Sequence, residues 1–115
     1  VLHCAATMHK FHDFYMHGKT PAFQQLVECY DGGTTPKDEG NPSLAEIRDI
    51  LEKTYAPMRQ YISSLTPVNM EKFIGPPDRR RKMSDAIVLL IWHEAHHQGQ
   101  VHLTWNLYRQ AHGLL

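Results

Sequence analysis

The chain predicts an all-α fold, an antiparallel four-helix bundle, on three observations. Apolar residues recur every three or four positions through two long stretches, 44–65 and 84–111. Apart from Pro57 and Gly99, the Gly and Pro residues lie between or at the ends of the periodic stretches. No run alternates convincingly with the two-residue period of a half-buried strand.

Taken in order, residues 1–16 lack Gly and Pro and place apolar or small side chains at helical spacing, so they read as a helix ending before His17-Gly18. Thr20-Pro21 has the form of an N-cap followed by Pro in the first turn, opening a short helix with Phe23, Leu26, Val27 and Tyr30. Asp31-Gly32-Gly33 stops it, and residues 34–42 form a loop rich in Gly, Pro and charge. Ser43-x-x-Glu46 is a capping box. It leads into an amphipathic helix with a seam of Leu44, Ile47, Leu51, Tyr55, Met58, Ile62 and Leu65, and Pro57 is expected to kink it. Residues 66–82 read as irregular, and Arg79-Arg80-Arg81-Lys82 as a solvated loop. Ser84 is the expected cap of a last helix running to about Ala111, before His112-Gly113.

A length of 115 residues suits one domain, 1–115, with a modest core. Twelve basic and twelve acidic residues cancel, which removes any global electrostatic reason to expect nucleic acid or an anionic membrane as partner. The longest apolar run, 86–92, is far short of the about 20 residues that span a bilayer. Two cysteines, Cys4 and Cys29, do not make a disulfide framework, and with no signal-peptide pattern the expected setting is the cytoplasm. The chain opens at Val1-Leu2, already inside a helical pattern, so a further N-terminal segment is expected.

Histidine is the outlier, with nine residues. The stretch Trp92-His93-Glu94-Ala95-His96-His97-Gln98-Gly99-Gln100 sets His93 and His97 one turn apart on one helix face. At about 100° per residue, Ala86, Leu89, Leu90, Gln100, Val101, Thr104, Leu107 and Tyr108 share that face, which a bundle must bury. Two imidazoles in an apolar seam need partners, and one metal ion satisfies both. His3, on the first helix with Thr7, Lys10, Phe11 and Phe14, offers a third ligand, as neighbouring helices do in bundle metal sites. Three imidazoles suit several divalent metals and leave coordination positions open. Gln100 stands one turn below, placed to orient a ligand or bound water. His96 lies at the seam edge and His102 on the opposite side. His9, His12, His17, His102 and His112 read as surface residues, and Cys4 as a small buried one.

His93-Glu94-x-x-His97 also spells the zinc-protease helix, with Glu94 as general base. No acid follows Glu94 to serve as third ligand, the extended Gly and His spacing is missed, and no strand is at hand to bind a peptide. Glu94 therefore reads as an exposed bystander.

His93-x-x-x-His97-x-Gly99-Gln100, followed by Leu107-Tyr108-Arg109 and Gly113, resembles the final helix of the DinB/YfiT-like family of four-helix-bundle metalloproteins. Ser84-Asp85 is similar to the start of that helix, and Leu2-His3-Cys4-Ala5-Ala6-Thr7 to the family's second helix. Gln98 stands where the family commonly has Arg. The resemblance implies a DinB-type bundle lacking the family's first helix, with His3, His93 and His97 as metal ligands. It also implies zinc or nickel before iron, copper or manganese, a homodimer, and a metal-dependent enzyme. The implied chemistry is that of a transferase using a low-molecular-weight thiol (bacillithiol, mycothiol or glutathione) on a small-molecule substrate, or a related hydrolase or isomerase. No separate catalytic residue is assigned. The alternative is a non-catalytic metal- or ligand-binding bundle, structural or stress-related.

Overall fold

The computed structural model describes residues 1–35, 37 and 39–114. Helix α1 (Leu2–Lys10) continues without a break into a π-helical segment, Phe11–Met16. Short helix α2 (Gln24–Tyr30), long helix α3 (Leu44–Ser63) and the single turn α4 (Pro67–Met70) follow. A two-residue antiparallel ribbon, β1 (Phe73–Ile74) with β2 (Arg81–Lys82), closes around a 3₁₀ turn at Pro77–Arg79. The last helix, α5, spans Met83–Ala111. The all-α bundle predicted from periodicity is what forms.

The side chains that meet fix the helix directions. Val1 and Cys4 lie level with Leu51, Tyr55, Glu94 and Val101, whereas Met8 meets Met58 and Leu90. Further along, Tyr15 and Met16 reach Tyr61, Leu65, Met83 and Ala86. Helix α5 thus runs antiparallel to α1 and α3, which run the same way and are joined by the crossover 17–43. Ala5 and Ala6 are fully buried, and having no side chain beyond Cβ they let α1 sit close to its neighbours. Thr54 is buried on α3 and satisfies its hydroxyl by donating to the Ile50 carbonyl at 2.9 Å.

Local chemistry explains where the elements begin and end. The Ser43–Glu46 capping box is present in both directions, and α3 passes through Pro57 as one helix. The expected caps at Thr20 and Ser84 are not used. Ala22 donates its N–H to Asp13 and Phe23 donates its N–H to His9, so the chain there is tied to α1 and the helix starts only at Gln24. Met83 donates its N–H to the Lys72 carbonyl at 2.8 Å, extending the ribbon directly into α5, with Lys82 as N-cap. The ribbon replaces the irregular loop expected there, and places Arg81 and Lys82 on a half-buried strand. Gly75, at φ +89°, permits the reversal: a Cβ would meet the Arg79 carbonyl and the Tyr15 ring at 3.0 Å. The π-helical turn has no Gly or Pro to announce it, because over six residues its pattern is indistinguishable from an α-helix.

The core is built at one end of the molecule, which measures 53 × 26 × 26 Å. Met8, Met58 and Leu90 form one buried cluster, and Ile74, Met83 and Ala86 a second, bridged by Phe11 and Met16. The seam of α5 beyond His97 is not buried among the described residues: Val101, Leu107 and Tyr108 are 46 %, 57 % and 50 % exposed. Leu44, the first residue of the α3 seam, is likewise exposed. No helix among the described residues is long and apolar enough to cross a membrane.

Candidate metal centre

His3 from α1 and His93 and His97 from α5 converge at the level where the packed part of the bundle ends. Nε2 of His93 lies 3.1 Å from Nε2 of His3 and 3.2 Å from Nε2 of His97. All three donor atoms fall within 4.8 Å of one another, and all three side chains are half-buried. The structure therefore brings together the three histidines expected from sequence.

The opposite edges of the rings decide which nitrogens face inward as lone pairs. Nδ1 of His3 donates to the Tyr30 carbonyl at 2.7 Å, since a carbonyl only accepts. Nδ1 of His97 donates to Oε1 of Gln100 at 2.7 Å. As neutral rings, both turn an unprotonated Nε2 toward His93. A proton on Nε2 of His93 can point at one of them only, so at least one inward lone pair is left without a donor. A cation among the three nitrogens satisfies all of them. Zinc–nitrogen bonds of about 2.0–2.1 Å put adjacent ligand nitrogens about 2.9–3.4 Å apart in right-angled to tetrahedral arrangements. The 3.1 and 3.2 Å separations lie inside that range. Burial, with the neighbouring His97 and His3 rings, holds His93 below the usual histidine pKa, favouring the neutral form that binds metal.

Gln100 occupies the position behind the ligands that its spacing indicated, and its contact is with His97 itself. Glu94 corrects the sequence reading. It is not an exposed bystander: Tyr55 on α3 donates its hydroxyl to Oε2 of Glu94 at 2.6 Å, and Oε1 is buried. A helical wheel reports the direction of Glu94 but not that α3 covers it. Burial, then the hydrogen bond and charge of Glu94, push the Tyr55 hydroxyl pKa well up, so it remains a donor. Cys4 is buried as expected, yet its sulfur, a His93 ring nitrogen and a Glu94 oxygen also lie within 4.8 Å of one another. Burial and the Glu94 charge push the Cys4 thiol up, keeping it protonated in the absence of metal. Cys29 is exposed, and both cysteines are free.

Of the remaining histidines, His96 stacks on Trp92 and is exposed, His102 contacts Asn106, and His112 lies against Tyr108. His17 is exposed and packs edge-on against Tyr61. His9 is a second correction. It is 6 % exposed, and its Nε2 accepts the Phe23 N–H at 2.9 Å, so it anchors the crossover to α1. His12 is half-buried, with Nδ1 2.7 Å from Oδ1 of Asp13. The sequence signal for His9 was its spacing: it lies one residue beyond buried Met8 and four before Asp13.

Beside the triad a cavity of about 780 Å³ opens between the start of α1 and the second half of α5. His3, His97 and Gln100 reach it from one side, and Val101, Trp105 and Tyr108 form its apolar wall.

A profile of the DinB superfamily matches residues 1–101, which include all three histidines. No curated protein and no solved structure matches the chain.

Proposed function

The chain belongs to the DinB superfamily, and from that premise we propose that it is a metal-dependent enzyme whose divalent ion is held by His3, His93 and His97. The observation that carries this reading is the convergence of three Nε2 atoms, two of them held as lone pairs by the hydrogen bonds of Tyr30 and Gln100. Imidazole donors suit zinc, nickel, iron and copper without selecting among them, and the family resemblance puts zinc or nickel before iron, copper or manganese. Bound there, the ion would supply Lewis acidity, lowering the pKa of a coordinated water or thiol toward neutrality and polarising an electrophile.

The protein's own groups set the stage for that chemistry. Tyr30 and Gln100 hold two rings by their outer nitrogens, so the ligands need little reorganisation. The wall of Val101, Trp105 and Tyr108 offers an apolar substrate body a surface in the same cavity that His3, His97 and Gln100 line. These features support transfer of a low-molecular-weight thiol to a small electrophile, or hydrolysis or isomerisation at the same ion. No separate general base is assigned. Glu94 is engaged by Tyr55 and does not line the cavity, which counts against a protease role.

Protein purified without chelator is expected to carry about one divalent ion per chain by elemental analysis, and to lose it in His93→Ala. The loaded protein is then screened for thiol addition to fluorogenic electrophiles. Metal bound with no acceleration of any thiol or hydrolytic reaction would favour a non-catalytic bundle. Absence of metal, with a His93→Ala variant of unchanged thermal stability, would remove the metal reading.

A further inference from the structure

The three rings of the triad are not held alike. His3 and His97 each have a hydrogen-bond acceptor on Nδ1, at 2.7 Å. His93, which lies between them, has none: its Nδ1 is buried and without a partner. Oε1 of Glu94 lies 3.8 Å away, and that oxygen is also buried and unpartnered. Two orphaned groups of complementary type, facing one another, are rare in a folded protein, where buried polar atoms almost always find partners. The carboxylate is not free to swing elsewhere, because Tyr55 on α3 holds its other oxygen at 2.6 Å.

We propose that Glu94, anchored by Tyr55, is the positioning residue for His93, its Oε1 accepting the Nδ1 proton once Nε2 binds the metal. The inference rests on the metal reading. An imidazole that gives Nε2 to a metal and remains neutral carries its proton on Nδ1, and that proton needs an acceptor. Closing the gap by about 1 Å reaches the 2.7–2.9 Å of a charge-assisted bond. The link Tyr55–Glu94–His93 then ties α3, which contributes no ligand of its own, to the metal on α1 and α5. It also gives Glu94 a use that the zinc-protease pattern does not supply.

The test measures cobalt(II) binding to the full chain by its visible ligand-field absorption, together with ¹⁵N spectra of histidine-labelled, zinc-loaded protein. Glu94→Ala is expected to weaken cobalt binding about 10- to 100-fold, the usual cost of removing such a partner. Glu94→Gln, which keeps an acceptor oxygen but no charge, is expected to fall between that variant and the unaltered chain. Tyr55→Phe is expected to weaken binding less than Glu94→Ala. In the spectra, one of three Nδ1–H signals should move in Glu94→Gln and the other two stay, a pattern that a general loss of fold would not give. Should Glu94→Ala be unfolded, Glu94→Gln and Tyr55→Phe carry the test. Wild-type affinity and unmoved signals in Glu94→Gln would overturn the inference while leaving the metal site intact. An unaltered chain that binds no cobalt would instead overturn the metal reading. A near-ultraviolet thiolate-to-cobalt band that disappears in Cys4→Ser would also overturn the inference, by showing the ion on Cys4, His93 and Glu94.

Discussion

Helix α5 passes through two environments on one continuous rod. From Met83 to Leu90 it buries Met83, Ala86 and Leu90 against α1 and the ribbon, with Met58 of α3 closing over Leu90. From Val101 to Tyr108 it carries Val101, Leu103, Trp105, Leu107 and Tyr108, all substantially exposed. Both halves have apolar residues in quantity, and the seam continues from one into the other. They differ in their cover: the start of α1 reaches the level of Val101, and beyond it Leu103, Trp105, Leu107 and Tyr108 stay at least half exposed. Periodicity therefore identifies a face that favours cover, whereas the length of the adjoining helices decides whether it is covered. His93 and His97 sit at the junction, where packing on one side can fix ring orientation and the open side can admit a ligand.

The sharpest way to break this comparison is a truncation in each half. Leu90→Ala removes a side chain that is 4 % exposed and packed on Met8 and Met58, and is expected to cost about 2–5 kcal/mol in chemical denaturation. A loss below about 1 kcal/mol would mean that the first half is no better packed than the second.

The junction comes next in size. Saturating zinc or nickel is expected to stabilise the folded chain by about 2.7 kcal/mol at a hundredfold excess over Kd, through binding to the native state alone. His93→Ala should abolish the metal-dependent rise in Tm measured by scanning calorimetry. An equal rise in that variant would place the ion away from the junction.

Much of this organisation was legible in the sequence. The long helices, the Ser43–Glu46 cap and the pairing of His93 with His97 follow from sequence spacing, because i,i+4 placement is intrinsic to a helix, whereas the choice of His3 as their partner came from the family resemblance. What was not legible depends on neighbours. The unused caps at Thr20 and Ser84 lost out to tertiary hydrogen bonds from Phe23 to His9 and from Met83 to Lys72. Glu94 and His9 looked exposed on a helical wheel and are not, since Tyr55 and the 17–23 crossover cover them. The ribbon at 73–82 is too short for alternation to register.

His9 supplies a prediction for the covered end of the molecule. Burial is the main cause holding it below the usual histidine pKa, opposed by Asp13 and aided by His12. In the folded chain its Nε2 accepts the Phe23 N–H, so protonation there breaks a bond. The unfolded chain binds that proton first. The stabilising contribution is therefore full above about pH 6.5 and falls as pH drops from there toward the lowered folded value. In metal-free protein His93, lowered also, adds a slope of the same sign. Asp13, although burial opposes it, is held below the usual carboxylate range by Ala22 and His12, and loses its contribution only at more acidic pH. Urea midpoints at pH 8 and 5.5 should converge partly in His9→Gln, whose amide oxygen still accepts from Phe23. An unchanged midpoint difference would show that His9 is not part of the switch.

The smallest expected effect is in the projecting half. Leu107 is 57 % exposed, so Leu107→Ser should change stability by no more than about 0.5 kcal/mol if that face meets only water. The homodimer proposed from the family resemblance makes a different demand. If a second copy covers this face, the unaltered chain will sediment as a dimer and its Tm will rise with protein concentration, because association stabilises only the folded partners. Leu107→Ser, and more strongly Trp105→Ser, would then shift the equilibrium toward monomer while leaving the Tm of dilute protein nearly unchanged. Sedimentation at two concentrations separates the cases: a monomer throughout keeps the two halves of α5 distinct, while a dimer lost on Trp105→Ser makes them the same kind of surface, covered from within in one half and by another copy in the other.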